Sequence, residues 1–320
     1  MTPARTCRVA VIDDYQSVAH SVADWSRTGS DCAVSFFHER RTGKALVRQL
    51  APFDIVVAMR ERTVFDDELM RQLPNLRLLV TTGMANSAID ISAAARRGIV
   101  VSGTRGLLSA TVEMTWALIL GLVRNVSSEQ NHLRNGGWQT TVGADLHGRI
   151  LGVVGLGTIG TAVARVGQAF GMDVLAWSQN LDAGHTEALG ITPVSKERLF
   201  MESDVVTLHY RLSKQSVGLI GRESIESMKP TAYLVNTARE QLVDTKALCD
   251  ALERDAIAGA ALDVFADEPP DAGHPLLKAP NVLATPHLGY VTCGNLGFFY
   301  SDAVKDIIAF LAGTPIRRLA

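Results

Sequence analysis

Gly155-Leu156-Gly157-Thr158-Ile159-Gly160 stands directly after the apolar run Ile150 to Val154 and directly before the helical pattern Thr161 to Phe170. Glycines at this spacing between a strand and a helix form the phosphate turn of a dinucleotide fold. The first glycine permits a tight turn, the second lets the backbone approach a pyrophosphate, and the third lets helix and strand pack closely. Amides near Thr158 and Ile159, at the helix start, then face the anion. The acidic residue expected after the next strand, where it would hold the ribose hydroxyls of NAD, is missing, and Trp177-Ser178-Gln179-Asn180 stands in its place. Asp173 lies at the wrong end of that strand, Asp182 lies beyond it, and no Arg or Lys replaces the carboxylate. The turn therefore leaves both NAD and NADP open. The reading leans to NAD, with Arg211 the nearby cation that would reverse it.

On both sides of this turn, short apolar runs alternate with helical patterns. Arg8 to Asp13, Ala33 to Phe37, Asp54 to Met59, Leu76 to Thr82 and Ile99 to Ser102 read as five strands of a first unit. Arg149 to Val154, Asp173 to Trp177, Val205 to His209, Ala232 to Asn236, Ile257 to Leu262 and Val282 to Ala284 read as six strands of a second. The runs are β-branched or leucine-rich without polar alternation, which suits parallel strands covered by helices on both faces. The apolar-periodic segment Leu107 to Val126, started by Ser109 or Thr111 with Glu113 close behind, reads as one crossover helix between the units. The stretch Asn295 to Leu311 reads as a closing helix that returns to the first unit. The expected architecture is α/β, with two doubly wound parallel-sheet domains. Residues 1–103 with 291–320 form the substrate domain, and 104–290 form the dinucleotide-binding domain.

A chain of 320 residues exceeds the size at which one core stops growing, which agrees with two domains. The formal net charge is −2 and the Lys and Arg residues are scattered, so there is no electrostatic footprint for nucleic acid or an anionic membrane. A small-molecule partner is expected instead. Cys7, Cys32, Cys249 and Cys293 lie far apart and form no CxxC, which argues for reduced thiols and against a zinc site. The start M-T-P-A-R-T-C runs straight into a strand pattern, and the most apolar stretch, Trp116 to Val123, is far too short to span a bilayer. A cytoplasmic location is expected.

Three later strand ends carry polar residues where an open parallel sheet places its crevice. They are Asn236-Thr237-Ala238-Arg239, Asp263-Val264-Phe265-Ala266-Asp267-Glu268-Pro269 and Thr285-Pro286-His287-Leu288-Gly289. Reduction of a 2-keto acid needs a fixed cation for the carboxylate, a proton donor for the developing alkoxide and a hydride source. Arginine suits the first task because its planar fork binds a carboxylate through two parallel hydrogen bonds. Histidine suits the second because its unperturbed pKa, about 6.5, lets it give and retake a proton near neutrality. Arg239 and His287 take these roles, and Glu268 orients the ring and favours the imidazolium. Taken singly, a histidine after proline is a loop residue, an arginine after a strand is a surface charge, and Glu268 before Pro269 and Pro270 ends an element. Their joint placement carries the reading. Asp263 reads either as a turn residue or as an acceptor for the nicotinamide carboxamide.

With G-L-G-T-I-G, V-N-T-A-R-E, A-L-D-V-F-A-D-E-P and T-P-H-L-G-Y in this order between Gly155 and Tyr290, the chain resembles the D-isomer-specific 2-hydroxyacid dehydrogenases. The resemblance implies two Rossmann-like domains with the active site in the cleft between them, a homodimer formed through the nucleotide domain, and Arg239, Glu268 and His287 as the catalytic triad. It also implies cofactor contacts from Gly155, Leu156, Gly157, Thr158, Ile159, Gly160, Ser178, His209, Ser216, Thr237, Asp263 and Gly289. In Thr81 to Asp90 the loop that offers backbone amides to the substrate carboxylate is longer than the usual family form, and Gly83, Met84 and Ala85 are its lining. Arg60, after the third strand, either recognises a second acidic group or pairs with Glu61 or Asp66 at the surface. The implied activity is reversible reduction of a small 2-keto acid to the D-2-hydroxy acid with NAD(P)H. Its main rival is a dinucleotide-sensing, corepressor-like binding protein with little turnover. An adenosylhomocysteine hydrolase-like or amino-acid dehydrogenase enzyme shares the nucleotide fold but not this order of motifs.

Overall fold

In the computed structural model, which describes residues 6–320, the chain divides into two compact units. One comprises the described part of Met1–Leu107 with Thr292–Ala320, and the other is Leu108–Val291. The first five residues, read above as leading into a strand, lie outside the described residues.

The first unit holds β1 (Cys7–Val11), β2 (Cys32–Phe36), β3 (Ile55–Ala58), β4 (Leu78–Thr81) and β5 (Val100–Gly103), all parallel, in the order β2-β1-β3-β4-β5. β3 and β4 are buried at every position, as strands covered on both faces must be. Val56, Ala58, Leu79 and Val101 pack with Leu46, Leu50, Phe53 and Phe65 into one core. The helix Cys293–Leu311, capped by the Thr292 side chain on the Asn295 amide, belongs to this unit. The C-terminal tail then runs antiparallel along β5, with Gly103 N donating to Arg317 O (3.0 Å) and Leu319 N to Val101 O (2.8 Å). The tail thereby covers an edge strand whose amides would otherwise be open to pairing. Arg317 anchors it by donating to Gly103 O and to the backbone O of Asp302, and by pairing with Asp306 (2.8 Å).

The second unit holds β6 (Ile150–Val154), β7 (Asp173–Trp177), β8 (Thr192–Pro193), β9 (Val205–Leu208), β10 (Tyr233–Asn236), β11 (Gly259–Leu262) and β12 (Val282–Ala284). They form one parallel sheet in the order β12-β11-β10-β9-β6-β7-β8. The sheet has seven strands, not the six expected. Two-residue β8 is too short to show a pattern, and its residues are exposed. The order reverses direction between β6 and β9, the switch point at which such sheets bind ligands beyond their strand ends.

The single helix expected over Leu107 to Val126 is two helices. Ser109–Val123 ends at Arg124, Asn125 takes a left-handed conformation (φ 53°), and a second helix runs Val126–Arg134. Leu108, not Ser109 or Thr111, precedes the first helical residue, and no side chain caps that end. Thr111 and Thr115 spend their hydroxyls elsewhere, on Gly289 O and on Thr111 O with Thr237 Oγ1. Among the described residues no helix is long and apolar enough to cross a membrane, and no group of three or more His, Cys, Asp or Glu is placed to hold a metal ion.

Candidate active site

The phosphate turn follows β6. Gly155 has φ +96°, a conformation that side chains rarely adopt, and a Cβ there would lie 2.7 Å from His209 O. Gly160 is pressed against the Gly155 carbonyl, leaving no room for a side chain. A Cβ at Gly157, by contrast, would project into open space just ahead of the helix Thr158–Ala169. The first amides of that helix have no acceptor within it, and they carry the positive end of its dipole. This cradle fits the pyrophosphate of a dinucleotide.

Leu156 donates its amide to Ser178 Oγ (3.0 Å), so the serine at the end of β7 closes the turn from the side. Trp177 stacks on Tyr210 at 5.9 Å and 15°, and the Tyr210 hydroxyl reaches Gln179 Oε1 at 3.4 Å. His209, at the end of β9, has its Nε2 3.0 Å from Thr207 Oγ1, and burial pushes its pKa down to about 3, so the ring is neutral. Ser216 is buried and turned into its own loop, accepting from Ser213 N (2.7 Å) and lying 2.9 Å from Arg211 O. The structure thus places it as a brace of that loop. Arg211 itself is exposed.

Around the C-terminal ends of β10, β11 and β12 the polar groups hold one another. His287 Nδ1 lies 2.7 Å from Glu268 Oε2, and Glu268 Oε1 accepts from Phe265 N (3.0 Å). Tyr290 meets the imidazole edge to face at 4.9 Å. Nδ1 is thus the ring nitrogen engaged by the carboxylate, and Nε2 is the one it leaves open to a substrate. Arg239 stands on a turn braced by buried Asn236, whose side chain donates to Arg239 O (2.9 Å) and accepts from Ala238 N (3.0 Å). The Arg239 guanidinium donates to Ala238 O (2.6 Å). Thr237 is buried against Thr115 (Oγ1 to Oγ1, 2.9 Å).

Asp263 is buried at the end of β11. It accepts from Thr285 Oγ1 (2.6 Å), Leu288 N (2.7 Å) and Gly289 N (2.7 Å). Burial raises its pKa, opposed by these donors and by the charge of His287. The residue expected to touch the carboxamide therefore also ties down the loop that carries His287 and Gly289.

In the first unit the structure brings Arg60 and Gly83 together, and the guanidinium lies where a side chain on Gly83 would be. Arg60 is itself left-handed (φ 48°), with its amide on Thr82 Oγ1 (2.8 Å) and its carbonyl accepting from Asn86 Nδ2 (2.6 Å). Its Nε is 3.5 Å from Glu61 Oε2, the pairing the sequence left open, though between largely buried side chains and not at the surface, whereas Asp66 caps the helix Asp67–Arg71. One expectation changes. Gly83 is buried and donates its amide to Thr104 Oγ1 (2.9 Å), so that amide is not offered to a ligand. Met84 and Ala85 are exposed.

Sequence reasoning missed Asn86, Thr115, Asn236 and Glu240 as supports of these groups. Asn236 and Glu240 flank the arginine turn in N-T-A-R-E, the one signal that pointed to them. Nothing in the local sequence marks Asn86 or Thr115, because their partners come from other segments.

The sequence model of the family described as "D-isomer specific 2-hydroxyacid dehydrogenase, NAD binding domain" matches residues 116–289. A glyoxylate reductase of Korarchaeum cryptofilum is 35% identical over 277 residues, covering 84% of this chain and 83% of that enzyme. A D-3-phosphoglycerate dehydrogenase of Archaeoglobus fulgidus is 35% identical over 288 residues, 87% of this chain but only 54% of the longer enzyme. Among solved structures, a phosphoglycerate oxidoreductase from Vibrio cholerae superposes with a TM-score of 0.92 at 33% identity, covering 96% of this chain and 99% of that one.

Proposed function

Since the chain belongs to the D-isomer-specific 2-hydroxyacid dehydrogenase family, we propose that it reversibly reduces a small 2-keto acid to the D-2-hydroxy acid at the expense of NADH or NADPH. The observation that carries this is the 2.7 Å contact of His287 Nδ1 with Glu268 Oε2, made between strand-end loops beside the Arg239 turn. When bound, the nicotinamide supplies the hydride in reduction and accepts it in oxidation. Arg239 grips the substrate carboxylate with its fork. In reduction the imidazolium of His287 gives its Nε2 proton to the developing alkoxide, and in oxidation the neutral ring takes it back. Glu268 holds the ring in one orientation and stabilises the charged form.

The pyrophosphate is assigned to the amides of Gly157 to Gly160, with Leu156 beside them and its own amide held by Ser178, the ribose side to Ser178, His209 and the Ser216 loop, and the carboxamide to Thr237, Asp263 and Gly289. Ser178 presents neither a carboxylate to repel a 2′-phosphate nor a guanidinium to bind one, so both dinucleotides are accepted, with NAD preferred. The backbone of Met84 and Ala85, beside Gly83, is assigned to the substrate carboxylate, and Arg60 to a second acidic group of the substrate. Residues 104–290 are the dinucleotide-binding domain, and 1–103 with 291–320 the substrate domain. The four cysteines are free thiols, which suits a reducing compartment. The working form is a homodimer.

His287→Ala tests the acid–base assignment. Dinucleotide binding, followed by quenching of Trp fluorescence, should stay as it is, while keto-acid reduction should drop by about 10²- to 10⁴-fold, the usual worth of a positioned proton donor. Full turnover in the variant would overturn the assignment.

A further inference from the structure

We propose that Glu240 is a positioning residue for the reaction, holding the loop that bears Glu268 in register with the turn that bears Arg239 and so setting the orientation of His287. The proposal rests on the function proposed above.

Glu240 follows Arg239 directly in the chain, yet it is only 5% exposed. A buried carboxylate needs partners that repay its lost hydration. Its Oε2 accepts from Ala266 N (2.7 Å) and its Oε1 from Thr245 Oγ1 (2.6 Å), with His274 Nε2 3.6 Å away. The neighbouring amide, Phe265 N, goes to Glu268 Oε1 (3.0 Å). Two consecutive amides of one loop are thus held by two carboxylates, one in the catalytic pair and one in the arginine turn. The Phe265 ring also meets the His274 ring edge to face at 5.3 Å, closing the loop against the same Glu240–His274 pair. A continuous path of contacts runs from Arg239 through Glu240, Ala266, Phe265 and Glu268 to His287. Withdrawing the Glu240 acceptor leaves the Ala266 amide without its partner.

The mechanism of the effect is reach. The Glu240 side chain holds Thr245 and Ala266 at once. Its charge faces His274 and contributes to the raised pKa of Cys249, which burial causes first. Around His287 stand Glu268, Asp263 and the Tyr290 ring. Glu240 therefore acts on His287 only through the alignment of Glu268. When Glu268 drifts, His287 loses the partner that orients its ring, which the alkaline limb of the pH–rate profile reads out.

The experiment measures pH–rate profiles of keto-acid reduction for the wild type and for Glu240→Gln, Glu240→Asp and Glu268→Gln, with folding checked by circular dichroism. Glu240→Gln keeps the reach, and the wild-type profile is expected. Glu240→Asp keeps the charge but falls short by one methylene. Its alkaline limb should shift to lower pH, in the direction of Glu268→Gln, with kcat down about tenfold and dinucleotide binding unchanged. An unshifted limb in Glu240→Asp, or a shift in Glu240→Gln alone, would overturn the proposal, the second by showing that charge and not reach matters. Titration of the His287 ring by NMR reports the same shift without turnover. A wild type inert toward keto acids would therefore count against the proposed function, while this inference would still be decided by the titration.

Discussion

At His287 the backbone is left-handed, with φ 54°, a conformation that costs a non-glycine residue of order 1–3 kcal/mol and persists only where the surroundings impose it. Asp263 imposes it, through one side-chain and two backbone donors spread over Thr285 to Gly289. Asp263→Asn tests this directly. An asparagine has one acceptor oxygen, so its NH2 must face an amide donor, and chemical unfolding should show a loss of about 1–3 kcal/mol, the cost of a buried group left unmatched. A wild-type denaturation midpoint would show that the loop does not depend on the carboxylate. Arg239, Glu268 and His287 could be singled out in the sequence because each follows an apolar strand. The structural duty of Asp263 could not, because its partners lie 22 to 26 residues away and only the folded strand ends bring them together. The Gly83 amide was misread for a similar reason, since its acceptor, Thr104, belongs to a different strand end.

Among the elements, the helix Cys293–Leu311 carries two buried acids whose pKa values are shifted in opposite directions. At Asp302 burial works to raise the pKa, but hydrogen bonds from Arg105 and Lys305 and the charge of Arg317 outweigh it and hold the carboxyl below its usual range. At Asp306 burial wins over Arg317, and the pKa rises to about 7. A carboxyl whose folded pKa is raised binds its proton more tightly folded than unfolded. Its stabilising contribution is full below the unfolded value, about 3.9, and is lost as pH rises toward 7. Asp306→Asn removes that loss, so the gap in thermal midpoint between variant and wild type should widen in favour of the variant from pH 4.5 to 7.5. A constant gap would mean that Asp306 is ionised throughout. The sequence showed this helix by its apolar period but not the tail latched to it through Arg317, since a short tail strand has no pattern of its own. The break at Asn125 was hidden likewise, because apolar residues continue across it.

For the molecule as a whole, both sheets were readable as parallel from unbroken apolar runs, and their orders, β2-β1-β3-β4-β5 and β12-β11-β10-β9-β6-β7-β8, are those of doubly wound folds. What strand patterns do not carry is surface. On the second unit Glu129 gathers the amides and hydroxyls of Thr140 and Thr141, and these hydrogen bonds lower its pKa to about 2, fastening the segment after the helix Val126–Arg134. That segment and helix expose Leu133, Trp138 (71%) and Val142 (96%). If this face forms the proposed homodimer, sedimentation equilibrium of the wild type should give twice the chain mass, and Trp138→Glu with Val142→Glu should shift it to the monomer. A dimer indifferent to both changes would place the interface elsewhere.

The proposed reaction is tested by following NADH and NADPH oxidation by the purified protein with glyoxylate, hydroxypyruvate, pyruvate, bulkier 2-keto acids and 2-keto diacids. Turnover of at least one of these is expected with either dinucleotide, faster with NADH, with a product of D configuration wherever the carbon is chiral. Tight dinucleotide binding with no oxidation across the panel, or an L product, would contradict the proposed reaction.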